Sequence, residues 1–303
     1  MEKVMVLLAT YNGSKYLQQQ LDSLYAQENI EVSILIRDDG STDSTQEILN
    51  KNSKKHNLTW YQGEHKNVQE GYFELMKMAS KTDAKYFAFC DQDDVWDVDK
   101  LSIAISKIKN AEDACKNNEL ILYYSGQRLV DSQLNFIEDH KLNRYRSLKS
   151  RFVLSDFAGC TGVFNKHLLN EVIKFKPDYM LMHDTWILRV CLCLGGNIIV
   201  DPEPRMSYRQ HGNNTIGLKH GFFSTLKQVD LYINEYKIEK LTKELVRGYG
   251  NRIVPEYKEL CTWICNYRSN RKYKQSLLDK KNIDYCNKGL NFTYWLKVEM
   301  HKL

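Results

Sequence analysis

Proline is scarce in this chain, four residues in 303, and glycine contributes only 15. That scarcity excludes collagen-like and low-complexity architectures, which need both residues in bulk. Long apolar runs are also missing, and none approaches the ~18 to 20 residues of a membrane span. The stretch Met1-Glu2-Lys3-Val4-Met5-Val6-Leu7-Leu8 lacks the long apolar region and small-residue cleavage site of a secretion signal. It passes straight into polar Thr10-Tyr11-Asn12-Gly13 and is expected to be a buried first strand. Eight cysteines, at 90, 115, 160, 191, 193, 261, 265 and 286, form neither paired zinc-ligand spacing nor a compact disulfide framework. Reduced thiols and a cytoplasmic location are therefore expected, with Cys191-x-Cys193 and Cys261-x-x-x-Cys265 as buried packing in helices.

What is present is an ordinary globular composition, 43% hydrophobic and 27% charged, long enough for one large α/β domain plus an appendage. The net charge of +5 is unevenly placed. From Leu218 onward there are 17 Lys and Arg against 9 Asp and Glu, so the basic surplus belongs to the tail and the rest is slightly acidic. Mixed charges and the lack of a recognisable module speak against nucleic-acid binding.

The most informative stretch is Tyr86-Phe87-Ala88-Phe89-Cys90-Asp91-Gln92-Asp93-Asp94-Val95-Trp96, an apolar run ending in three carboxylates. Its first five residues are too short for a helix and read as a strand covered on both faces. Acids just past such a strand sit where open α/β sheets bind ligands. Their mutual repulsion calls for a cation or hydrogen-bond donors, and Mg²⁺ or Mn²⁺ carrying a diphosphate would serve. A plain alternative is that Asp94 and Asp97 face the start of a helix over about 99–111.

Strand and helix patterns alternate through the first half: strands at 4–9, 32–36, 58–62 and 86–90, and helices at 14–27, 45–54 and 71–78. This argues for a mostly parallel sheet flanked by helices. Strands at 120–125, 127–130 and 198–200, a connecting stretch at 144–154, and helices at 168–174 and 184–194 follow. From Gly221 the pattern becomes helical, two to four helices with interleaved lysines and aromatics. Domain boundaries are expected at 1–217, with halves 1–97 and 98–217, and 218–303.

The chain resembles the family 2 nucleotide-sugar glycosyltransferases, which have the GT-A fold. The resemblance rests on Ala9-Thr10-Tyr11-Asn12-Gly13, Asp38-Asp39-Gly40-Ser41-Thr42-Asp43, Asn67-Val68-Gln69-Glu70-Gly71, Asp91-Gln92-Asp93-Asp94-Val95-Trp96, Gly159-Cys160-Thr161-Gly162, His183-Asp184 and Tyr208-Arg209-Gln210-His211-Gly212-Asn213-Asn214. The motifs cover roughly 4–217 in the family's order. The Asp-Gln-Asp-Asp-x-Trp stretch with the late Tyr-Arg-Gln-His-Gly-Asn-Asn is closest to the bacterial rhamnosyltransferase-like branch, which builds cell-surface polysaccharide.

The resemblance implies an inverting, metal-dependent transfer from a UDP- or dTDP-sugar, dTDP-rhamnose among the candidates, to a glycan or lipid-linked acceptor. Thr10 and Tyr11 would hold base and ribose, with Asn12 and Gln92 on the same side. Asp39 would accept a pyrimidine N–H, Asp91 would face the ribose or the metal's water, and Arg209 would meet phosphate or a carboxylate. Asp93 and His211 would bind the cation. Asp184 would be the general base, although the family usually has an acid where His183 stands. Gly159, Cys160 and Thr161 would form the acceptor-side loop, with Trp96 and Trp186 as stacking candidates.

Plainer readings remain beside these: Asp38-Asp39 as a strand-ending turn, His211 as a loop residue, Asp184 as a helix cap, the tryptophans as core. For the tail, docking on an anionic membrane, an ordinary bundle and a homo-oligomer surface stay open. Rival functions are a sugar nucleotidyltransferase, for which Thr10-Tyr11-Asn12-Gly13-Ser14-Lys15 is a poor triphosphate loop, and a non-catalytic sugar-binding subunit.

Overall fold

The computed structural model describes residues 1–64, 67–114, 119–140, 142, 145, 147–211 and 236–303. Strands β1 (Glu2–Thr10), β2 (Ile30–Asp38), β3 (Leu58–Gln62) and β4 (Tyr86–Cys90) alternate with α1 (Leu17–Tyr25), α2 (Thr45–Ser53) and α3 (Val68–Ala79). Then come β5 (Val95–Trp96), α4 (Lys100–Ala114), β6 (Ile121–Val130), β7 (Phe136–His140), α5 (Leu148–Val153), β8 (Gly162–Asn165), α6 (Lys166–Ile173), α7 (His183–Cys193) and β9 (Asn197–Arg209). The sheet runs β3-β2-β1-β4-β8-β6-β9-β5, with β7 beside β6.

The α/β architecture is as expected, but parallel pairing is confined to β3-β2-β1-β4 and to β6 with β9. β8 runs antiparallel between β4 and β6, and β5 antiparallel to β9, so the sheet is mixed. Side-chain alternation divides the core. Val4, Val6 and Leu8 of β1 face one cluster with Ala88 and Cys90, while Leu7 faces the other with Phe87 and Phe89. All of β4 is buried, which is why its sequence shows no polar alternation.

Register sets the working rim. Thr10 lies opposite Asp38 and Leu8 opposite Cys90, so β1, β2 and β4 end together and release Tyr11, Asp39 and Asp91 on one side.

Two expectations needed merging. The strands at 120–125 and 127–130 are one strand, and 198–209 is likewise continuous through Pro202 and Pro204. The β6–β9 register shifts at Ser125–Gly126, and a Cβ on Gly126 would lie 2.6 Å from the Pro202 carbonyl. Glycine therefore admits the proline-bearing bulge without ending the strand. The stretch taken as a connection contains α5, capped by Ser147, whose side chain accepts the Ser150 N–H.

Four C-terminal helices are described: α8 (Ile238–Tyr249), α9 (Pro255–Asn266), α10 (Arg271–Leu278) and α11 (Lys288–Glu299). Ile238, Leu241, Leu245, Leu260 and Val298 join the same apolar cluster as Trp186 and Leu188 of α7, so these helices extend the core. Trp263, Tyr267, Tyr285 and Tyr294 are buried in it, while Phe292 and Trp295 are exposed. The expected boundary near 217 and the aromatics Phe222, Phe223 and Tyr232 lie outside the described residues. Cys191, Cys193 and Cys261 are buried free thiols, as expected, whereas Cys265 is only partly buried. Among the described residues, no helix is long and apolar enough to cross a membrane.

Candidate active site

At the β1–β2 rim the loops are tied to each other. Asn12, at φ +47°, accepts the Thr42 N–H on its side-chain oxygen at 2.8 Å, and its own N–H donates to the Ser41 hydroxyl at 2.9 Å. Asp38 is fully buried and accepts from Ser41 and from Gln46 Nε2, so it braces the turn. The Thr10 hydroxyl donates to Gln92 Oε1 at 2.6 Å, and the same oxygen accepts the Tyr11 N–H at 3.0 Å. Thr10, Asn12 and Gln92, expected to meet the nucleotide, thus use these groups to lock loop to loop. Tyr11 is exposed, and with Asp39, Gly40, Gln62, Gly63 and Glu64 it lines a cleft of about 590 Å³.

Asp39 is held from behind by a residue that sequence reasoning passed over. Arg37, wholly buried, pairs with the Asp39 carboxylate, with Glu74 at 3.1 Å and with the Glu64 carbonyl. A Cβ on Gly63 would lie 2.5 Å from its Nε, and Gly71 of α3 also abuts it. The signal was there: an arginine ending an otherwise apolar strand has to find carboxylates. The Asn67 motif serves this packing too, since Asn67 caps α3 by accepting the Glu70 N–H and Gln69 reaches the Leu181 carbonyl at 2.7 Å.

The acids after β4 separate into three environments. Asp93 is partly accessible, and its Oδ2 lies 2.7 Å from His211 Nε2, so the two expected cation ligands do meet. Asp94 is fully buried, with Oδ1 accepting the Arg209 N–H at 3.2 Å and Oδ2 without a hydrogen-bond partner. Burial first, then the neighbouring carboxylates Asp91 and Asp93, push its carboxyl well above the usual range. Asp91 is pushed up to about 7, by burial and then by Asp93, with Asp184 contributing. The Cys160 thiol and the Tyr72 hydroxyl both donate to it.

Two buried cations frame this cluster. Lys100 donates to the Cys160 carbonyl and sits 3.3 Å from the centroid of the Trp96 ring, its pKa lowered to about 8 by burial. Arg209 is the second. Its Nε donates to the Asp93 carbonyl at 2.7 Å, and its other nitrogens to the Ser132 carbonyl at 2.7 Å and Gln19 Oε1 at 2.6 Å. At 2% exposed, it fixes the loop that carries Asp93, and the expected phosphate contact is corrected accordingly.

Asp184 lies in the first turn of α7. Its Oδ1 accepts the Thr185 N–H and its Oδ2 the Gly159 N–H at 3.0 Å. Burial raises its pKa to about 6 against those two donors. Its charge raises the pKa of the Tyr236 phenol, behind the larger effect of burial.

Gly159, Cys160 and Thr161 are buried in a short 3₁₀ turn. That placement corrects the expected acceptor-facing loop, because the Gly159 N–H meets Asp184, the Cys160 thiol and carbonyl meet Asp91 and Lys100, and the Thr161 hydroxyl donates to the Ala158 carbonyl. His183 is buried against Tyr72, ring centroids 3.8 Å apart, with its pKa lowered to about 3. Trp186 is fully enclosed beside Phe175 and Tyr249, and Trp96 is 2% exposed. Both pack the core, which corrects the expectation that Trp186 stacks on substrate.

Comparison with known proteins agrees with this geometry. The model of the family described as Glycosyl transferase family 2 matches residues 5–173. The chain is 29% identical over 251 residues to the dTDP-rhamnosyl transferase RfbG of Shigella flexneri, covering 78% of this chain and 82% of that protein. Among solved structures, S. aureus TarS in complex with UDP-GlcNAc superposes with a TM-score of 0.60 at 16% identity, covering 99% of this chain and 91% of that one. The Pyrobaculum calidifontis mannosyltransferase PcManGT, in complex with GDP-Man and Mn²⁺, gives 0.55 at 13% identity, covering 99% and 86%. At those identities the structures speak for the GT-A fold, and the family match spans more than half of the sequence: the chain belongs to glycosyl transferase family 2 and is a sugar-transferring enzyme.

Proposed function

We propose that the enzyme is an inverting, cation-assisted transferase moving a sugar from a pyrimidine nucleoside diphosphate to a hydroxyl of a glycan or lipid-linked acceptor in bacterial cell-surface polysaccharide synthesis. The observation that carries this reading is the position of Asp91, which feels the charge of both Asp93 and Asp184. This supports reading the acid paired with His211 and the acid at the start of α7 as parts of one site, on the side where β1, β2 and β4 release Tyr11, Asp39 and Asp91. Similarity to a dTDP-rhamnosyl transferase favours a dTDP-sugar, rhamnose first, with UDP-sugars as the other class.

In this reading Asp39, held by its ion pair with Arg37, accepts the ring N–H of the base, and Tyr11 covers it. Asp93 and His211 would hold Mg²⁺ or Mn²⁺. Their converging oxygen and nitrogen suit such an ion, and next to Asp93 in the chain the buried Asp94 Oδ2 has no hydrogen-bond partner. Asp91, Asp94 and Cys160 also place ligand atoms within 4.8 Å of one another, but burial raises the Cys160 thiol well above its usual value, so it stays protonated and donates. The cation supplies charge neutralisation to the departing diphosphate. Asp184, oriented by the Gly159 and Thr185 N–H groups, takes the proton of the acceptor hydroxyl as it attacks the anomeric carbon from the opposite face. Peripheral contact with the inner face of the plasma membrane, through exposed Phe292 and Trp295 among the tail's lysines, belongs to the same reading.

The test is a panel of sugar nucleotides that includes dTDP-rhamnose and UDP-GlcNAc, assayed for transfer and donor hydrolysis. Wild type turns over at least one pyrimidine donor, and Asp184→Asn binds that donor normally with turnover reduced by about 10² to 10⁴. No turnover of any pyrimidine donor, or an Asp184→Asn variant at wild-type rate, overturns it.

A further inference from the structure

Lys100 opens α4 with its side chain wholly buried. Its ammonium group donates to the Cys160 carbonyl, lies 3.6 Å from the Met206 sulfur and sits over the Trp96 ring. Among the described residues it makes no ion pair. Asp94 and Asp91 act on it through space only, against the stronger downward push of burial on its pKa. Taking an ammonium group out of water without a carboxylate partner is costly, and an apolar side chain of similar length would avoid that cost. A lysine in this place holds something that an apolar residue would not.

What it holds is the turn at Gly159–Thr161. Cys160 is gripped from two sides, its carbonyl by Lys100 and its thiol by Asp91, to which it donates. One residue earlier, the Gly159 N–H donates to Asp184 at 3.0 Å. The Thr161 N–H closes the turn on the Ala158 carbonyl at 2.9 Å. On its other side the turn abuts α7, where a Cβ on Gly159 would meet His183.

The lysine can serve as a fixed post because its own surroundings are anchored. Gln27 Oε1 accepts the Leu101 N–H at 3.0 Å, and Gln27 Nε2 donates to the Asp97 carbonyl at 2.8 Å, which braces the first turn of α4. The Trp96 N–H donates to the Ser23 hydroxyl at 3.1 Å, fixing the residue whose indole the ammonium group covers.

We propose that Lys100 is a positioning residue for the transfer: by holding the Cys160 carbonyl it sets the turn whose Gly159 N–H orients Asp184. Without the ammonium group a buried carbonyl loses its donor, and the turn is free to shift. A misplacement of about 1 Å in a reacting group can cost on the order of 10² in rate. The rate consequence rests on Asp184 being the general base, as proposed above, whereas the orienting contact does not.

The test uses the full chain labelled with isotopic carbon at alanine carbonyls and isotopic nitrogen at glycine. Ala158-Gly159 is the only Ala-Gly step in the sequence, so one correlated amide signal reports the Gly159 N–H by itself. Lys100→Met and Asp184→Asn are compared with Ile108→Ala, which removes a buried side chain about 12 Å further along α4. Lys100→Gln, too short to reach the carbonyl as lysine does, supplies the same reading if Lys100→Met does not fold.

The expected wild-type amide proton lies downfield, as a donor to a carboxylate should. Asp184→Asn and the Lys100 variant both move it upfield, and Ile108→Ala leaves it in place. The kcat of the Lys100 variant falls at least tenfold with donor KM within twofold, while Ile108→Ala, assayed below its melting temperature, stays within twofold in both. An unmoved Gly159 signal in the Lys100 variant overturns the proposal, as loss of a mere through-space countercharge would give, and so does a shift that Ile108→Ala shares. A moved signal with unchanged kcat, in a protein that Asp184→Asn inactivates, also overturns it. A moved signal with Asp184→Asn at the wild-type rate refutes the base reading instead and supports the orienting contact.

Discussion

The backbone N–H of Gly159 donates to the carboxylate of Asp184 at 3.0 Å, across 25 residues of sequence. A loop whose small residues suggest close approach to a sugar instead orients the candidate base. The bond also lowers the Asp184 pKa against the larger upward push of burial, leaving it at about 6.

A base of that pKa predicts the pH profile. It must be ionised to take a proton, so kcat should fall on the acid side of about pH 6 with unit slope and level off above pH 7. Stability runs the other way. Because the folded state holds the proton more tightly, Asp184 adds stability below the ordinary carboxylate range and loses it as pH rises through about 6. Thermal melts of wild type and Asp184→Asn between pH 4 and 8 should therefore show a smaller loss in the variant.

Gly159→Ala should damage both fold and rate. The added Cβ would lie 2.6 Å from His183 Nε2 and 3.5 Å from Asp184 Cβ, and His183 is pressed against Tyr72. Overpacking of this kind costs about 1–3 kcal/mol. Denaturant melts should show that loss, and kcat should fall further than KM rises. A variant with wild-type stability and rate would mean the turn gives way freely.

Arg37→Met strips the countercharge from buried Asp39 and from the partly exposed Glu74. Removing one member of a buried ionic cluster costs about 3–5 kcal/mol. Arg37→Lys keeps the charge but loses the fork, so it should retain more stability while still weakening nucleotide binding. Calorimetric titration with UDP or dTDP reads the second effect.

Trp186→Phe separates packing from substrate stacking. With the indole enclosed beside Phe175 and Tyr249, the change should lower the melting temperature and leave acceptor KM within about twofold. A raised acceptor KM at unchanged stability would restore the stacking role.

The strands that meet at the donor rim were legible because their signal is local. Tyr86–Cys90 is apolar at every position and stops at Asp91, and the structure gives the same bounds. Sequence also led to Asp93 and His211, 118 residues apart, which lie 2.7 Å from each other. Arg209 was not legible: the resemblance made it a phosphate or carboxylate contact, and only tertiary structure supplies Gln19 and the Ser132 carbonyl that occupy it. Pro202 and Pro204 reported a strand break truthfully in local terms, yet Gly126 on a partner strand absorbs it. Lys100 opens α4, and the Cys160 carbonyl that receives its ammonium group comes from 60 residues away.

The proposed cation site would be formed by Asp93 and His211, and the ion would neutralise charge on the donor's diphosphate. The most direct test of this central claim is a thermal titration of the intact chain with Mn²⁺ and UDP or dTDP, separately and together, on wild type and Asp93→Ala. The account predicts that cation and nucleotide together raise the wild-type melting temperature beyond the sum of either alone, and that Asp93→Ala loses this synergy while still responding to nucleotide. Equal synergy in both proteins would contradict it.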